Sequence, residues 1–192
     1  MRKEIILCGV GGQGTVLASR LISAAAMEKQ IPVMSAETIG MAQRGGSVFS
    51  HLRMGEGLYS PMIARGEADL IIGFEPGEAV RLLPMLKPDG QMIVSDRAVM
   101  PVTASLSGAD YRAADMLDYL SARVSRLKIV EAEKALREVG SPKVLNLILL
   151  GAAVGSGALG LTEEDLRAAI LRRIPERFHD LNFRALALGI QA

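Results

Sequence analysis

The stretch CGVGGQGTVLASRL, residues 8–21, decides the fold of this chain. The apolar run KEIILC (3–8) leads into it and is typical of a buried strand, whereas residues 14–29 carry apolar side chains at helical spacing. The glycines between the two follow the pattern GxGxxG: Gly9, Gly11 and Gly14. A strand, a glycine turn and a helix in this order indicate the first unit of a doubly wound α/β sheet.

The rest of the chain continues the alternation of strands and helices. Strands are predicted over 31–37, 68–76, 90–96 and 126–132, and a strand or hairpin over 47–54. Helices are predicted over 77–88, 112–124, 144–161 and 162–174, with one more before Gly140. We therefore predict a Rossmann-like α/β fold with a mostly parallel sheet, helices on both faces and a helical C-terminal region. The first two strands are expected to form a parallel βαβ unit, and residues 1–192 to form a single domain.

Composition excludes several classes of function. A net charge of +1 and 4% aromatic residues provide neither a basic surface nor stacking platforms for nucleic acid. No apolar run reaches membrane-spanning length, and a strand pattern directly after MRKE leaves no room for a signal peptide. We expect a cytoplasmic protein that binds neither nucleic acid nor membrane. One cysteine and two distant histidines predict no metal site, so any iron–sulfur cluster must lie on another chain.

The glycine turn is expected at the carboxyl end of its strand, where doubly wound sheets bind ligands. Its candidate contacts are Gly9, Gly11, Gly12, Gln13 and Gly14. Glycines let a phosphate or another backbone approach, amides at a helix start favour an anion, and Gln13 adds a polar side chain at the rim. Glu37 ends the second predicted strand, 23 positions after Gly14, where a ribose-binding acid would favour NAD. An alternative is that the glycines only permit tight strand–helix packing.

A second glycine-rich loop lies within AETIGMAQRGGSVFSHLR, residues 36–53. Its candidate contacts are Gln43, Arg44, Gly45 and Gly46. An arginine there could grip a phosphate or carboxylate with two parallel hydrogen bonds, and the glycines would let the backbone approach a partner. A solvated arginine in a turn is the alternative.

GVGGQG (9–14), followed by AETIGMAQRGGSVFSHLR, resembles the gamma-type domain of the 2-oxoacid:ferredoxin oxidoreductases. The resemblance continues through ADLIIGFEPGEAVRLLPMLKPDG (68–90) and SPKVLNLILLGAAVGSG (141–157), and ends with RIPERFHDLNFRALALG (173–189). It covers nearly the whole chain and is weak only over 97–126. Within the family, the similarity is greatest to the small subunits of the enzymes that act on indolepyruvate.

The resemblance implies a complex that decarboxylates a 2-oxoacid on thiamine diphosphate, passes electrons through iron–sulfur clusters to ferredoxin and forms an acyl-CoA. Thiamine diphosphate and the clusters would lie on a large alpha subunit, so this chain alone would hold no cofactor and be inactive. Both glycine loops would line a crevice near the partner's active site, against the phosphates of coenzyme A or the partner chain itself. An aryl pyruvate is favoured as substrate, whereas pyruvate and branched 2-oxoacids stay open.

No catalytic residue can be assigned to this chain from its sequence. Cys8 on a buried strand is interpreted as a core residue, His51 as a packed or partner-facing residue, and Asn146 as a buried side chain that caps a neighbouring loop or, alternatively, serves the site. The runner-up function is a stand-alone reductase that binds NAD(P) or a flavin, based on GxGxxG and Glu37.

Overall fold

The computed structural model describes residues 2–38, 46–100 and 110–192 of the chain. These residues form one six-stranded sheet in the order β2-β3-β1-β4-β5-β6. The strands are β1 (Lys3–Val10), β2 (Val33–Glu37), β3 (Ser47–Met54), β4 (Ala68–Gly73), β5 (Leu86–Ser95) and β6 (Arg126–Val130). The α-helices are α1 (Thr15–Glu28), α2 (Pro76–Leu82), α3 (Ala113–Ser121), α4 (Ala132–Val139), α5 (Leu145–Gly155), α6 (Glu163–Arg173) and α7 (His179–Gln191).

The sheet is mostly parallel, as predicted, but its first two strands do not pair. β1 pairs in parallel with β4, β4 with β5 and β5 with β6. β3 lies between β1 and β2 and runs antiparallel to both. In place of the expected neighbouring strands of a βαβ unit, β1 and β2 are separated by β3. Periodicity along the chain cannot reveal such an insertion, because the pairing of β3 is set by contacts distant in sequence.

Helices cover both faces of the sheet, which confirms the predicted Rossmann-like architecture. One core packs α1 and α4–α7 against residues such as Leu7 and Ile72. The other packs α2 and α3 against residues such as Ile6 and Ile71. The chain leaves β1 through α1 on the first face and leaves β4 through α2 on the second. The gap between β1 and β4 is therefore the switch point, where doubly wound sheets open a crevice beyond the carboxyl ends of their strands.

The predicted helix over 77–88 is wrong in its second half. α2 ends at Leu82, one 3₁₀ turn covers Leu83–Met85, and β5 already begins at Leu86. Ala68 pairs with Leu86 but Leu70 with Gln91, so the register shifts and residues 87–90 bulge from the ladder. Pro88 fits there because a bulge does not need the ladder hydrogen bond that proline lacks.

The predicted buried helix over 144–161 is confirmed as α5, although it ends at Gly155, and it packs directly on α7. A Cβ atom at Gly151 would lie 2.2 Å from the carbonyl oxygen of Leu186, and one at Gly189 would lie 2.0 Å from that of Ile148. Only glycine permits this approach of two helix backbones. No helix in the described ranges is long and apolar enough to cross a membrane.

Candidate functional site

The glycine turn, residues 9–14, lies at the switch point. Gly9 and Val10 are the last residues of β1, and Gly14 is the N-cap of α1. Across the gap, β4 ends at Gly73, and residues 74–78 comprise the link to α2 and the first residues of that helix. We call the space beyond residues 9–14 and 74–78 the switch-point crevice.

Gln13 ties the two walls of this crevice together. Its Oε1 accepts a hydrogen bond of 2.7 Å from the amide of Val10, and its Nε2 donates one of 3.0 Å to the carbonyl oxygen of Phe74. The amide of Phe74 in turn donates to the carbonyl oxygen of Cys8 at 2.7 Å. The Gln13 amide group therefore faces the sheet ends, whereas the sequence analysis placed it at the ligand-facing rim.

Two glycines of the turn allow close packing, as the alternative interpretation expects. A Cβ at Gly9 would lie 2.6 Å from Oε1 of Gln13 and 2.7 Å from Cβ of Phe74. Gly14 has a φ of +86°, and a Cβ there would lie 3.2 Å from the side-chain amide of Asn146. Asn146 is 1% exposed, and its Oδ1 has no hydrogen-bond partner. The predicted loop-capping bond of Asn146 is therefore absent from the described part of the chain.

Gly12 differs from Gly9 and Gly14. It is exposed with a φ of +98°, and a Cβ there would meet nothing within 4 Å. Within the described ranges, the amides of Gly12, Gly14 and Thr15 donate no hydrogen bond to the protein. Free amides at the start of a 14-residue helix form an environment that favours an anion. Gly12 is therefore the member of the turn whose missing side chain leaves open space rather than a packed contact.

The second glycine loop meets the first through its last residue. The carbonyl oxygen of Gly46 accepts a hydrogen bond of 2.9 Å from the amide of Gly11. The next residue, Ser47, pairs with Val10 and donates a hydrogen bond of 2.5 Å to the carboxylate of Glu78. The other predicted contacts of this loop lie outside the described residues: Gln43, Arg44 and Gly45.

The sequence analysis missed two residues at the crevice, Glu75 and Tyr111. Glu75 is 2% exposed and caps α2, with Oε2 accepting a hydrogen bond of 3.0 Å from the amide of Glu78. Its Oε1 accepts a short hydrogen bond from the hydroxyl of Tyr111. An acid directly after a buried strand and before Pro76 is a recognisable cap signal for Glu75. Nothing in the sequence indicates that Tyr111, 36 positions away, reaches it.

Glu37 does not lie beside the turn as a ribose-binding acid would. It pairs with Ser50 of β3, and Ser50 pairs with Leu7 of β1. Two strand spacings, about 10 Å, therefore separate Glu37 from β1. The geometry gives no support to the stand-alone NAD(P) or flavin reductase. Cys8 is fully buried, and burial, followed by the charges of Glu78 and Glu75, raises the pKa of its thiol, which fits a core residue.

The opposite end of β3 carries a second polar cluster, at the amino edge of the sheet. Arg53 forms an ion pair with the buried Glu4, with contacts of 2.6 and 2.9 Å, and donates to the carbonyl oxygen of Ser60 at 2.6 Å. His51 is 4% exposed, and its Nδ1 accepts a hydrogen bond of 3.2 Å from the amide of Ile63. Both side chains hold the 55–67 loop against the sheet. His51 is therefore a packed residue, one of the two roles expected for it.

Burial and charge shift the pKa values of this amino-edge cluster. Burial raises the pKa of Glu4, but the hydrogen bonds and charges of Arg53 and Arg2 outweigh it and hold that pKa below its ordinary value of 4.5. Burial lowers the pKa of His51 below 6.5. A neutral imidazole is required there, because a protonated Nδ1 could not accept the amide of Ile63.

The described residues offer no set of ligands for an iron–sulfur cluster. Its one cysteine is buried in the core, and the described residues include no group of three or more metal-ligating side chains. A cavity of about 410 Å³ lies instead against the edge strand β6, where Ile129, Lys134 and Leu188 are among its lining residues. No residue of the glycine turn contributes to it.

Comparisons with known proteins support this fold and also show the family of the chain. The family model of the pyruvate ferredoxin/flavodoxin oxidoreductases matches residues 4–192. The indolepyruvate oxidoreductase subunit IorB of Methanothermobacter thermautotrophicus is 37% identical, over 100% of this chain and 98% of its own length. The gamma subunit of a keto/oxoacid ferredoxin oxidoreductase from Geobacter sulfurreducens has a TM-score of 0.75 at 22% identity, covering 100% of this chain and 95% of the other.

A third similar protein is much longer than this chain. The 2-oxoglutarate:ferredoxin oxidoreductase of Magnetococcus marinus, solved with 2-oxoglutarate, coenzyme A and succinyl-CoA bound, has a TM-score of 0.74 at 18% identity. The alignment covers 98% of this chain but 30% of that one, and at this identity it shows the fold alone. The family match over nearly the whole chain and the 37% identity carry the assignment. The chain belongs to the pyruvate ferredoxin/flavodoxin oxidoreductase family, as a small subunit of a 2-oxoacid:ferredoxin oxidoreductase complex.

Proposed function

We propose that this chain completes the active site of a large alpha subunit that carries thiamine diphosphate and iron–sulfur clusters. The complex would oxidatively decarboxylate an aryl pyruvate, indolepyruvate, to an acyl-CoA and reduce ferredoxin in the cytoplasm. The chain would contribute the switch-point crevice, where the free amides of the glycine turn meet the phosphates of coenzyme A. The second glycine loop, with Gln43, Arg44, Gly45 and Gly46, would line the same crevice, and residues 1–192 would act as a single domain.

The observation that carries this proposal is the contact between Gly11 and Gly46. Their hydrogen bond of 2.9 Å joins the two glycine loops at the switch point, with Gly12 open beside them. Amides without acceptors suit a phosphate, and a glycine with no neighbour within 4 Å leaves room for one. The nearby carboxylate of Glu78 is offset by Arg81, at 3.2 Å. The similar protein from Magnetococcus marinus, solved with coenzyme A, supports the choice of ligand.

The first experiment tests the need for a partner. The isolated chain is expected to be colourless and inactive with indolepyruvate, coenzyme A and ferredoxin, because its one cysteine cannot hold a cluster. Co-expression with the alpha subunit from the same cell should give a brown complex that reduces ferredoxin. Full activity of the alpha subunit alone would contradict the proposal.

The second experiment tests coenzyme A at the turn, in the assembled complex. Gly12→Ala puts a methyl group into the open space, so the KM for coenzyme A should rise about tenfold or more, while the KM for the 2-oxoacid stays constant. Gly57→Ala is the matched control. Gly57 is also exposed, with a φ of +70° and nothing within 4 Å, but it lies in the loop at the amino edge.

The two variants share the backbone strain of a left-handed residue, so only the crevice distinguishes them. An equal KM for coenzyme A in both would overturn coenzyme A binding at Gly12. If Gly12→Ala instead weakens assembly with the alpha subunit and leaves every KM unchanged, the turn meets the partner chain and not the co-substrate.

A further inference from the structure

Residues 74–78 contact three separate parts of the crevice. Phe74 holds the glycine turn through Gln13, at 3.0 Å, and through the carbonyl oxygen of Cys8, at 2.7 Å. Glu78 holds Ser47, the residue that follows the second glycine loop. Glu75, between them, holds Tyr111. Residues 74–78 therefore fix the position of the glycine turn relative to Ser47 and Tyr111.

The contacts of Glu75 come from uncharged donors. The amide of Glu78 and the hydroxyl of Tyr111 donate to its two carboxylate oxygens, and the amide of Val99 makes a longer contact of 3.5 Å. Among the described residues, no cation lies within ion-pair distance of this carboxylate. A buried carboxylate is held in place by such hydrogen bonds, so the position of Glu75 depends on its donors.

Tyr111 is the one donor of this set that comes from a distant side chain. Its hydroxyl donates to Glu75 and accepts a hydrogen bond of 3.0 Å from the amide of Gly77. A Cβ at Gly77 would lie 2.8 Å from that hydroxyl oxygen, so glycine is needed for the contact. Burial, followed by the bond to Glu75, raises the pKa of Tyr111, which keeps the donor protonated.

We propose that Glu75 and Tyr111 are positioning residues, which hold residues 74–78 and through them the glycine turn in the conformation that receives the co-substrate. This inference rests on the proposed function. The path is short: Tyr111 fixes Glu75 and Gly77, the neighbouring Phe74 carbonyl fixes Gln13, and Gln13 fixes Val10 at the start of the turn. Neither residue is expected to touch the reacting atoms.

The test uses the complex of this chain with its alpha subunit. Tyr111→Phe removes one hydroxyl and leaves the ring, so the KM for coenzyme A should rise about threefold to tenfold, the range that one lost hydrogen bond gives, with kcat within about twofold. Tyr119→Phe is the matched control, because Tyr119 is 42% exposed and its hydroxyl makes no hydrogen bond in the described part of the chain. It should leave both constants unchanged.

A second variant tests whether the two residues act together. Glu75→Gln keeps the shape but has one acceptor oxygen instead of two, and should also raise the KM for coenzyme A. Because both changes act on the contact between residues 75 and 111, the double variant should raise the KM less than the product of the single effects. Independent, multiplying effects would overturn the inference.

The outcomes separate this inference from the proposed function. An unchanged KM in Tyr111→Phe, with a raised KM in Gly12→Ala, would overturn the positioning role and leave coenzyme A at the turn. An unchanged KM in both would overturn coenzyme A binding at the turn, the part of the proposed function on which this inference rests. Failure of Tyr111→Phe to assemble, when Tyr119→Phe assembles, would show that the hydroxyl serves folding, and would also overturn the inference.

Discussion

The two ends of strand β3 use the same sequence motif in different ways. At the carboxyl edge, Gly46 and Ser47 meet the glycine turn beside the open Gly12. At the amino edge, His51 and Arg53 make buried contacts with a loop and with Glu4. Beside the first end, amides of the glycine turn have no acceptor in the described part of the protein, whereas at the second end the side chains of His51 and Arg53 are both hydrogen-bonded. The one motif therefore supplies residues that meet the proposed binding crevice at one edge of the sheet and residues that stabilise the loop and Glu4 at the other.

The largest expected effect tests the amino edge. Arg53→Ala leaves the carboxylate of Glu4, whose side chain is 6% exposed, with the surface Arg2 as its remaining ion-pair partner among the described residues, and should lower the free energy of unfolding by about 3 kcal/mol. Ser47→Ala, at the other end of β3, loses one hydrogen bond and should cost about 1 kcal/mol. Urea unfolding of the two variants measures the difference. Equal losses would remove the distinction between the two ends.

The next largest expected effect is a loss of stability at low pH, caused by Glu4 at the amino edge. Because the folded pKa of Glu4 is lowered, its stabilising contribution is fully present above its ordinary value of 4.5 and is lost as the pH falls through the folded pKa. Unfolding free energies of the wild type should therefore fall as the pH drops below about 4.5. Glu4→Gln should be less stable at neutral pH and show a shallower fall. A parallel fall in both proteins would contradict the assigned role of Glu4.

The smallest expected effect is a change of stability with pH near neutrality, caused by His51 at the amino edge. The folded pKa of His51 is lowered by burial, so the unfolded chain binds its proton first, and stability should decline as the pH falls below 6.5. The slope is at most about 1.4 kcal/mol per pH unit. His51→Gln offers an uncharged acceptor to Ile63 and should remove this part of the pH dependence. Stability that stays constant between pH 7 and 5 in the wild type would contradict the contact.

Much of the fold could be predicted because most helices and strands carry a signal in their own residues. The capping box that begins α6 appears as Thr162 and Asp165, three residues apart, and the structure has both of its hydrogen bonds. Gly140 ends α4 with a φ of +79°. The end of α2 could not be predicted, because helical spacing continues through Leu86, while pairing with Ala68 places that residue in a strand. Tertiary pairing overrode local preference there.

The place of the glycine turn in the fold was predictable from the sequence, but its detailed contacts were not. GxGxxG after a strand places the turn at the carboxyl edge, yet Gly9, Gly12 and Gly14 look alike in the sequence. Only the surrounding atoms show that two of them pack and one is open. The role of Gln13 between Val10 and Phe74 depends on β1 and β4 being neighbours, and no local pattern gives that information.

The antiparallel pairing of β3 has a consequence for changes in chain length. Val10 lies opposite Ser47 and Glu4 opposite Arg53, so the distance along β3 between the two edges is fixed residue for residue. Side chains alternate between faces, so one extra residue inside Ser47–Met54 would turn Arg53 and His51 to the wrong side. Insertion or deletion of a single residue within this strand should therefore destabilise the protein strongly, whereas the 55–67 loop should tolerate a lengthened tip near its exposed Tyr59.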